Sequence, residues 1–222
     1  LDHDLQIARD IQRILLPSQP PPIDGFDIAG INIPARQVSG DYFDYIKVDD
    51  DRLGVVIADV SGKGVPASLI MAICRSVLRA EARLGQSPAE VLRKVNRQLY
   101  PDIKEDMFIS MAYVILDHKN NHVTLSRGGH DAPLLYRAAT GEVEVLKPPG
   151  MALGIDNGDV FDRITGDLSV PLERDDCLVL YTDGVTEMLD ANGDEFGPER
   201  MIRSVRASAS EGAQGVIARL TD

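Results

Sequence analysis

Apolar residues open the chain at spacings of three and four: Leu1, Leu5, Ala8, Ile11 and Leu15, with Asp2, Asp4, Arg9, Asp10 and Arg13 between them. This periodicity predicts an amphipathic helix over residues 1–16. Pro17 stops it, and Ser18-Gln19-Pro20-Pro21-Pro22 forms a stiff connection. Residues 1–22 therefore separate, as a linker helix and its Pro-rich tether, from a main domain over 23–222. The helix has no core of its own. It must pack on that domain or on a second copy of itself along a coiled-coil seam.

Beyond the linker, residues 26–60 read as strands, with Leu53-Gly54-Val55-Val56-Ile57-Ala58 suited to a sheet centre. From Pro66 to about Leu84 the period turns helical, with Leu69, Ile70, Ile73, Val77, Leu78 and Leu84 as the expected stripe. A second helix starts at Ser87, where Pro88 in the first turn and Glu90 three residues on make a capping-box signature. Its stripe is Val91, Leu92, Val95 and Leu99. Strands return over Met107–Leu116, His122–Arg127, Pro133–Ala138, Glu142–Leu146 and Cys177–Thr182, and helices follow from Pro198 and around Val216, Ile217 and Leu220. Strands in meander order with inserted helices indicate an α+β layered domain rather than a doubly wound one.

Composition narrows the function. The apolar fraction of 44% and charged fraction of 26% are those of a globular protein. A net charge of −12 argues against binding nucleic acid or an anionic membrane surface. Cys74 and Cys177 sit in apolar surroundings and are expected to be buried free thiols in a reducing, cytoplasmic compartment. No apolar stretch approaches the roughly 20 residues that span a bilayer.

The chemistry concentrates at three aspartates beside glycines: Asp41 in Ser39-Gly40-Asp41, Asp59 in Asp59-Val60-Ser61-Gly62-Lys63-Gly64, and Asp183 in Tyr181-Thr182-Asp183-Gly184. Carboxylates gathered at strand ends suit hard divalent cations, although Asp-Gly is also a common turn pair. Rival motifs fail. A P-loop on Gly62-Lys63 would need glycine where Ile57 stands and Ser or Thr where Gly64 stands. A nucleophile elbow at Ser61 would need glycine at the positions of Asp59 and Lys63. His118 and His122 have the spacing of a helical zinc pair but fall in a hairpin loop. His130, in Gly128-Gly129-His130-Asp131-Ala132-Pro133, is either a plain loop histidine or a ring facing a site.

In order and spacing these segments, with Val185-Thr186-Glu187, Phe196-Gly197-Pro198-Glu199-Arg200 and Ala8-Arg9-Asp10-Ile11-Gln12-Arg13-Ile14-Leu15-Leu16-Pro17, resemble the SpoIIE-type branch of the protein phosphatase 2C-like, metal-dependent phosphatases. The resemblance implies a four-layer α-β-β-α sandwich of two antiparallel sheets with a site for two Mg²⁺ or Mn²⁺ ions at one edge. It implies that Asp59 bridges the ions, that the Val60 carbonyl ligates one and Asp183 the other, and that Asp41 acts through bound water. The nucleophile would be a bridging hydroxide, and Ser61, Gly62, Lys63 and His130 would belong to the site loops. Relatives often carry His as general acid where Ser61 stands, and Ser61 is a poor acid, so leaving-group protonation would need metal-bound water or another residue, for which His130 is a candidate. The implied substrate is phosphoserine or phosphothreonine on a bacterial regulatory protein, a STAS-type anti-sigma-factor antagonist, with an upstream sensor acting through residues 1–16 and a homodimer formed there. A degenerate phosphatase serving as an interaction module, and a hydrolase of small phosphoesters, are the rival readings. Family members carry a further Asp-Asp-hydrophobic-Thr strand, and the chain stops at Thr221-Asp222 before it, so the resemblance implies truncation in the terminal helix and weaker metal binding.

Overall fold

A computed structural model describes residues 2–34 and 38–221; Leu1 and Asp222 of the sequence reading lie outside the described residues. The elements are α1 (Asp2–Leu15), β1 (Tyr42–Lys47), β2 (Arg52–Val60), α2 (Val65–Ala82), α3 (Pro88–Leu99), β3 (Ile109–Asp117), β4 (His122–Gly128), β5 (Leu134–Arg137), β6 (Glu142–Val145), α4 (Asp159–Ile164), β7 (Leu168–Pro171), β8 (Cys177–Val179), α5 (Asp183–Thr186), α6 (Gly197–Ser208) and α7 (Gly212–Thr221). One antiparallel sheet has the order β1-β2-β3-β4-β7 and the other β6-β5-β8.

Alternation along the strands sorts the side chains into layers. Val56, Ala58, Val60, Met111, Tyr113 and Ile115 face α2 and α3, where they meet Met71, Cys74, Leu78, Val91, Leu92 and Val95. The opposite face, through Leu53, Val114, Leu116, Val123 and Leu125, packs on Leu135 and Leu178 of the second sheet. Leu134 on the far side of that sheet meets Met201 and Val205 of α6. The order is helices, sheet, sheet, helices. Each large apolar side chain so enclosed contributes about 1.5–3 kcal/mol.

The capping box forms as read: Glu90 N donates to Ser87 Oγ (3.3 Å) and Ser87 N to Glu90 Oε2 (3.2 Å). Other expectations need correction. The stretch 27–34 forms no strand, and Ile31 and Ile33 stand exposed. Helix α2 buries Ala67, Met71, Cys74, Leu78 and Ala82, whereas Leu69 and Ile73 of the expected stripe are exposed. The buried face alternates small Ala67, Cys74 and Ala82 with large Met71 and Leu78, and packing against the sheet rather than side-chain hydrophobicity selects it. In α1 the half-buried side chains are Leu5, Ala8, Arg9 and Leu15, with Gln12 buried between them; Ile11 is exposed. Cys74 is buried and free, its thiol pushed up to about 12 by desolvation, but Cys177 is only half-buried. Helix α4 and edge strand β7 were not anticipated. Among the described residues no helix is long and apolar enough to cross a membrane.

Candidate active site

Strand register brings the first two aspartates together. Tyr42 pairs with Ala58 across the β1–β2 ladder. Carried one step further, Asp41 stands opposite Asp59 and Gly40 opposite Val60. The second pairing is made, since Val60 N donates to Gly40 O at 3.3 Å. The approach is tight enough that a Cβ on Gly40 would sit 2.6 Å from the Val60 carbonyl oxygen, so only glycine fits there. On the other side Asp59 pairs with Ser110 of β3, and Ala112, two residues on, pairs with Arg127 of β4. Asp59, Ser110 and Arg127 therefore point to one face of the sheet, the face that covers the second sheet. Beyond the shorter strands of that second sheet, this face opens as a cleft of about 1030 Å³.

The cleft collects Asp41, Asp59, Val60, Ser61, Gly62, Lys63, His130 and Asp183, every position singled out in the sequence. It adds Asp131, Glu187, Ser110, Arg127 and Lys147. Asp131 and Glu187 lie inside recognisable motifs, and Glu187 stands four residues after Asp183, so the spacing could have marked it. Nothing local to Arg127 marks it; only strand register does. Asp183 does not end a strand. β8 stops at Val179, and Asp183 opens the four-residue helix α5.

Among the described residues the acids lining the cleft, Asp41, Asp59, Asp131, Asp183 and Glu187, outnumber its bases, Lys63, Arg127 and Lys147. Desolvation, then the charges of Asp41, Asp183, Asp131 and Glu187, push the Asp59 carboxyl up to about 7. Asp41 is raised by burial and by Asp183, against the lowering effect of its hydrogen bond from Ser39. Asp131 is raised by burial and by Asp183, against Arg127. Crowded carboxylates of this kind gain most from a cation. The donors the cleft offers, carboxylates and the Val60 carbonyl, are oxygens, the chemistry that hard divalent cations such as Mg²⁺ prefer.

The loop residues have defined partners. Ser61 N donates to Phe108 O (2.9 Å) and Phe108 N donates to Ser61 Oγ (2.7 Å), which ties the start of the glycine loop to the approach to β3. Gly62 and Gly64 have φ of +92° and +75°, values that favour glycine, and Lys63 between them is exposed. His130 is 3% exposed with both ring nitrogens engaged: Nδ1 with Ser110 Oγ (2.8 Å) and Nε2 with Tyr181 O (2.9 Å). A carbonyl only accepts, so Nε2 carries the proton and Nδ1 accepts from the hydroxyl. Burial lowers the ring's pKa accordingly. The neutral imidazole fastens the Asp183 segment to β3 opposite Asp59. In this geometry the ring's one proton is engaged with Tyr181 O. Arg127 Nη1 donates to His130 O (2.7 Å), while its Nε is buried and finds no partner among the described residues.

The family described as Stage II sporulation protein E (SpoIIE) matches residues 49–222. This chain belongs to that family. It is 33% identical over 190 residues to the phosphoserine phosphatase RsbU of Bacillus subtilis, covering 86% of this chain and 55% of RsbU. The chain spans about half the length of the curated relatives of this kind that it matches. Among solved structures it shares its fold with the SiaA-PP2C domain of Pseudomonas aeruginosa (TM-score 0.78, 20% identity, 99% of this chain and 86% of that one). It shares it too with RsbX, solved in complex with magnesium (TM-score 0.62, 16% identity, 86% and 83%). The architecture is thus that of PP2C phosphatase domains, and the SpoIIE-family match runs through β2, the glycine loop, the His130 turn and Asp183.

Proposed function

We propose that this chain is the phosphatase domain of a divalent-cation-dependent protein serine/threonine phosphatase, hydrolysing phosphoserine or phosphothreonine on a regulatory protein of the STAS-antagonist class. The observation that carries the reading is the convergence of Asp41, Asp59 and Asp183, with Asp131 and Glu187, on one cleft in a domain of this family. Asp59, Asp41, Asp183 and the Val60 carbonyl would hold Mg²⁺ or Mn²⁺, the first of which RsbX is seen to bind. When bound, such ions acidify water and neutralise charge on a phosphoryl group. The protein's own part is to place these oxygens and to shape the approach. Arg127, Lys63 and Lys147 line the same cleft and supply positive charge to a phosphate that the acids would otherwise repel. In the reaction a water oxygen bonds to phosphorus, the bond from phosphorus to the serine oxygen breaks, and that oxygen takes up a proton.

The deciding experiment is hydrolysis of a phosphoserine peptide with Mn²⁺, Mg²⁺ or EDTA, set beside nucleotides and sugar phosphates. Metal-dependent turnover of the peptide, abolished by EDTA, is expected, and Arg127→Ala should raise KM more than it lowers kcat. No turnover with either ion, together with no metal binding by calorimetry, would replace this reading with that of an interaction module. Preference for small phosphoesters would shift the substrate class.

Residues 1–22 serve in this reading as the linker to an upstream sensor. Ile7, Ile11 and Ile14 are 45%, 55% and 80% exposed on α1. Their i, i+4, i+7 spacing is that of a coiled-coil seam and supports a homodimer there. Sedimentation should give a dimer that Ile11→Asp converts to a monomer; a wild-type monomer at all concentrations would sink the proposal.

A further inference from the structure

Gln12 is the only buried side chain among the described residues of α1, in the middle of a helix whose outer face is open to solvent. A primary amide both donates and accepts, and Gln12 uses both capacities on one residue. Its Nε2 donates to Ser39 O at 2.6 Å, and its Oε1 accepts from Ser39 N at 3.0 Å. It thus satisfies the backbone of Ser39 as a neighbouring strand would. The Ser39 hydroxyl turns towards the cleft, where it donates to Asp41 Oδ2 and accepts from Asp41 N, each at 3.0 Å. On the opposite side Gly40 is held by Val60 N and lies against the Val60 carbonyl. Residues 39–41 are therefore suspended between α1 and β2, and among the described residues Ser39 is the side chain that bonds to the Asp41 carboxylate.

We propose that Gln12 is a positioning residue for Asp41: with α1 docked, its amide holds the Ser39–Asp41 segment against Val60, and release of α1 frees Asp41 from its place in the cation site. The inference rests on the cleft being a divalent-cation site. It assigns to one residue the coupling between the linker helix and that site. The helix is also held where Arg75 Nε donates to Leu15 O (2.7 Å), and just beyond it Leu16 packs against the core.

The test is a Mn²⁺ titration of the 222-residue chain, with free Mn²⁺ followed by electron paramagnetic resonance. It is run on wild type, Gln12→Met, Gln12→Glu, Ser39→Ala and Arg13→Ala, alongside the Mn²⁺ dependence of phosphoserine-peptide hydrolysis. Residues that orient a metal ligand typically contribute about 10–100-fold to affinity. Gln12→Met keeps the volume without the bonds, and Gln12→Glu keeps an acceptor but loses the donor. Both should weaken Mn²⁺ binding roughly tenfold, with kcat returning towards wild type at saturating Mn²⁺. Ser39→Ala removes the next link and should act in the same direction, while Arg13→Ala, exposed on the same helix, should match wild type. A merely structural Gln12 would lower the melting temperature and leave the affinity of the folded protein unchanged. Unaltered Mn²⁺ binding in Gln12→Met or, if the Gln12 variants do not fold, in Ser39→Ala would overturn the proposal. Wild type that binds Mn²⁺ yet hydrolyses no phosphopeptide would remove the functional reading while the titration still decides on Gln12. Wild type that binds no Mn²⁺ would remove both.

Discussion

Replacing Asp59 with asparagine should abolish phosphatase activity and, in the same protein without metal, raise stability at pH 8. The two effects share one cause. Asp59 is half-buried on a face shared with four other acids, and its carboxyl is pushed up to about 7. In the unfolded chain it returns to the ordinary value near 3.9. Between these limits the folded state binds more protons than the unfolded one, so stability falls as pH rises, and the full penalty is present above pH 7. Below about pH 4 both states are protonated and the penalty vanishes. Taken at face value the shift is worth about 4 kcal/mol, but solvent reaches the group and screens it, which leaves on the order of 1–2 kcal/mol. For a chain of this size that is roughly 2–8 °C in melting temperature. Asp41 and Asp131, raised chiefly by burial, push in the same direction.

The melting temperature of the wild type in EDTA should therefore be lower at pH 8 than at pH 5.5, and Asp59→Asn should flatten that difference. Added Mn²⁺ should raise the wild type, because a ligand of the folded state stabilises by mass action, and should raise the variant far less. Turnover should drop by at least about 10²–10³-fold, the range for losing a group that organises charge in the transition state. A variant less stable than wild type at pH 8 in EDTA would show that Asp59 is held by favourable partners, and the reading of Asp59 as crowded by neighbouring acids would fail.

How far this site could be read from the sequence depends on the range of the interactions that build it. Helix α3 was legible because its signals are local: Ser87 and Glu90 cap their own first turn, and Val91, Leu92, Val95 and Leu99 mark a face the structure buries. Asp41 and Asp59 were legible as candidates because glycine beside a strand end leaves a local trace. The face of α2 was not, since its buried Ala67, Cys74 and Ala82 are small and carry less of the pattern than the exposed Leu69 and Ile73. Strand β7 is four residues at a sheet edge ending in Pro171, and α4 is too short to show a period. Gln12 was hidden for the opposite reason. A polar residue inside an apolar stripe reads as solvent-facing until its partner, 27 residues away, is known. His130 was marked by its glycines, but its buried, doubly bonded position depends on Ser110 and Tyr181, which no local pattern connects to it.

The largest stability effect is expected at Asp44, which takes no part in the cleft. Its side chain is 3% exposed on the α2 face of β1. Oδ2 accepts from Arg79 Nη1 (2.6 Å) and from the Tyr42 hydroxyl (2.6 Å), and Oδ1 accepts from Tyr45 N (2.9 Å). Arg75 stands 3.9 Å away and itself caps the C-terminus of α1 through Leu15 O. One carboxylate thus ties β1 to α2 and, through Arg75, to α1. Burial and the charge of Asp44 both hold the Tyr42 phenol well above its usual range, which keeps it a donor at every working pH. In Asp44→Ala the Tyr42 hydroxyl and the Arg79 guanidinium lose their acceptor together, and Arg75 loses a nearby countercharge. Breaking a buried pair from one side costs about 3–5 kcal/mol, because the remaining charge is stranded. Melting should fall by roughly 6–20 °C. Asp44→Asn retains an acceptor for one partner and should cost less. Removing Arg79 as well should recover part of the loss, since the cycle then eliminates the stranded charge as well as the bond. Strictly additive losses in Asp44→Ala/Arg79→Ala would mean that the pair is not coupled and that β1 is held to α2 by apolar packing alone.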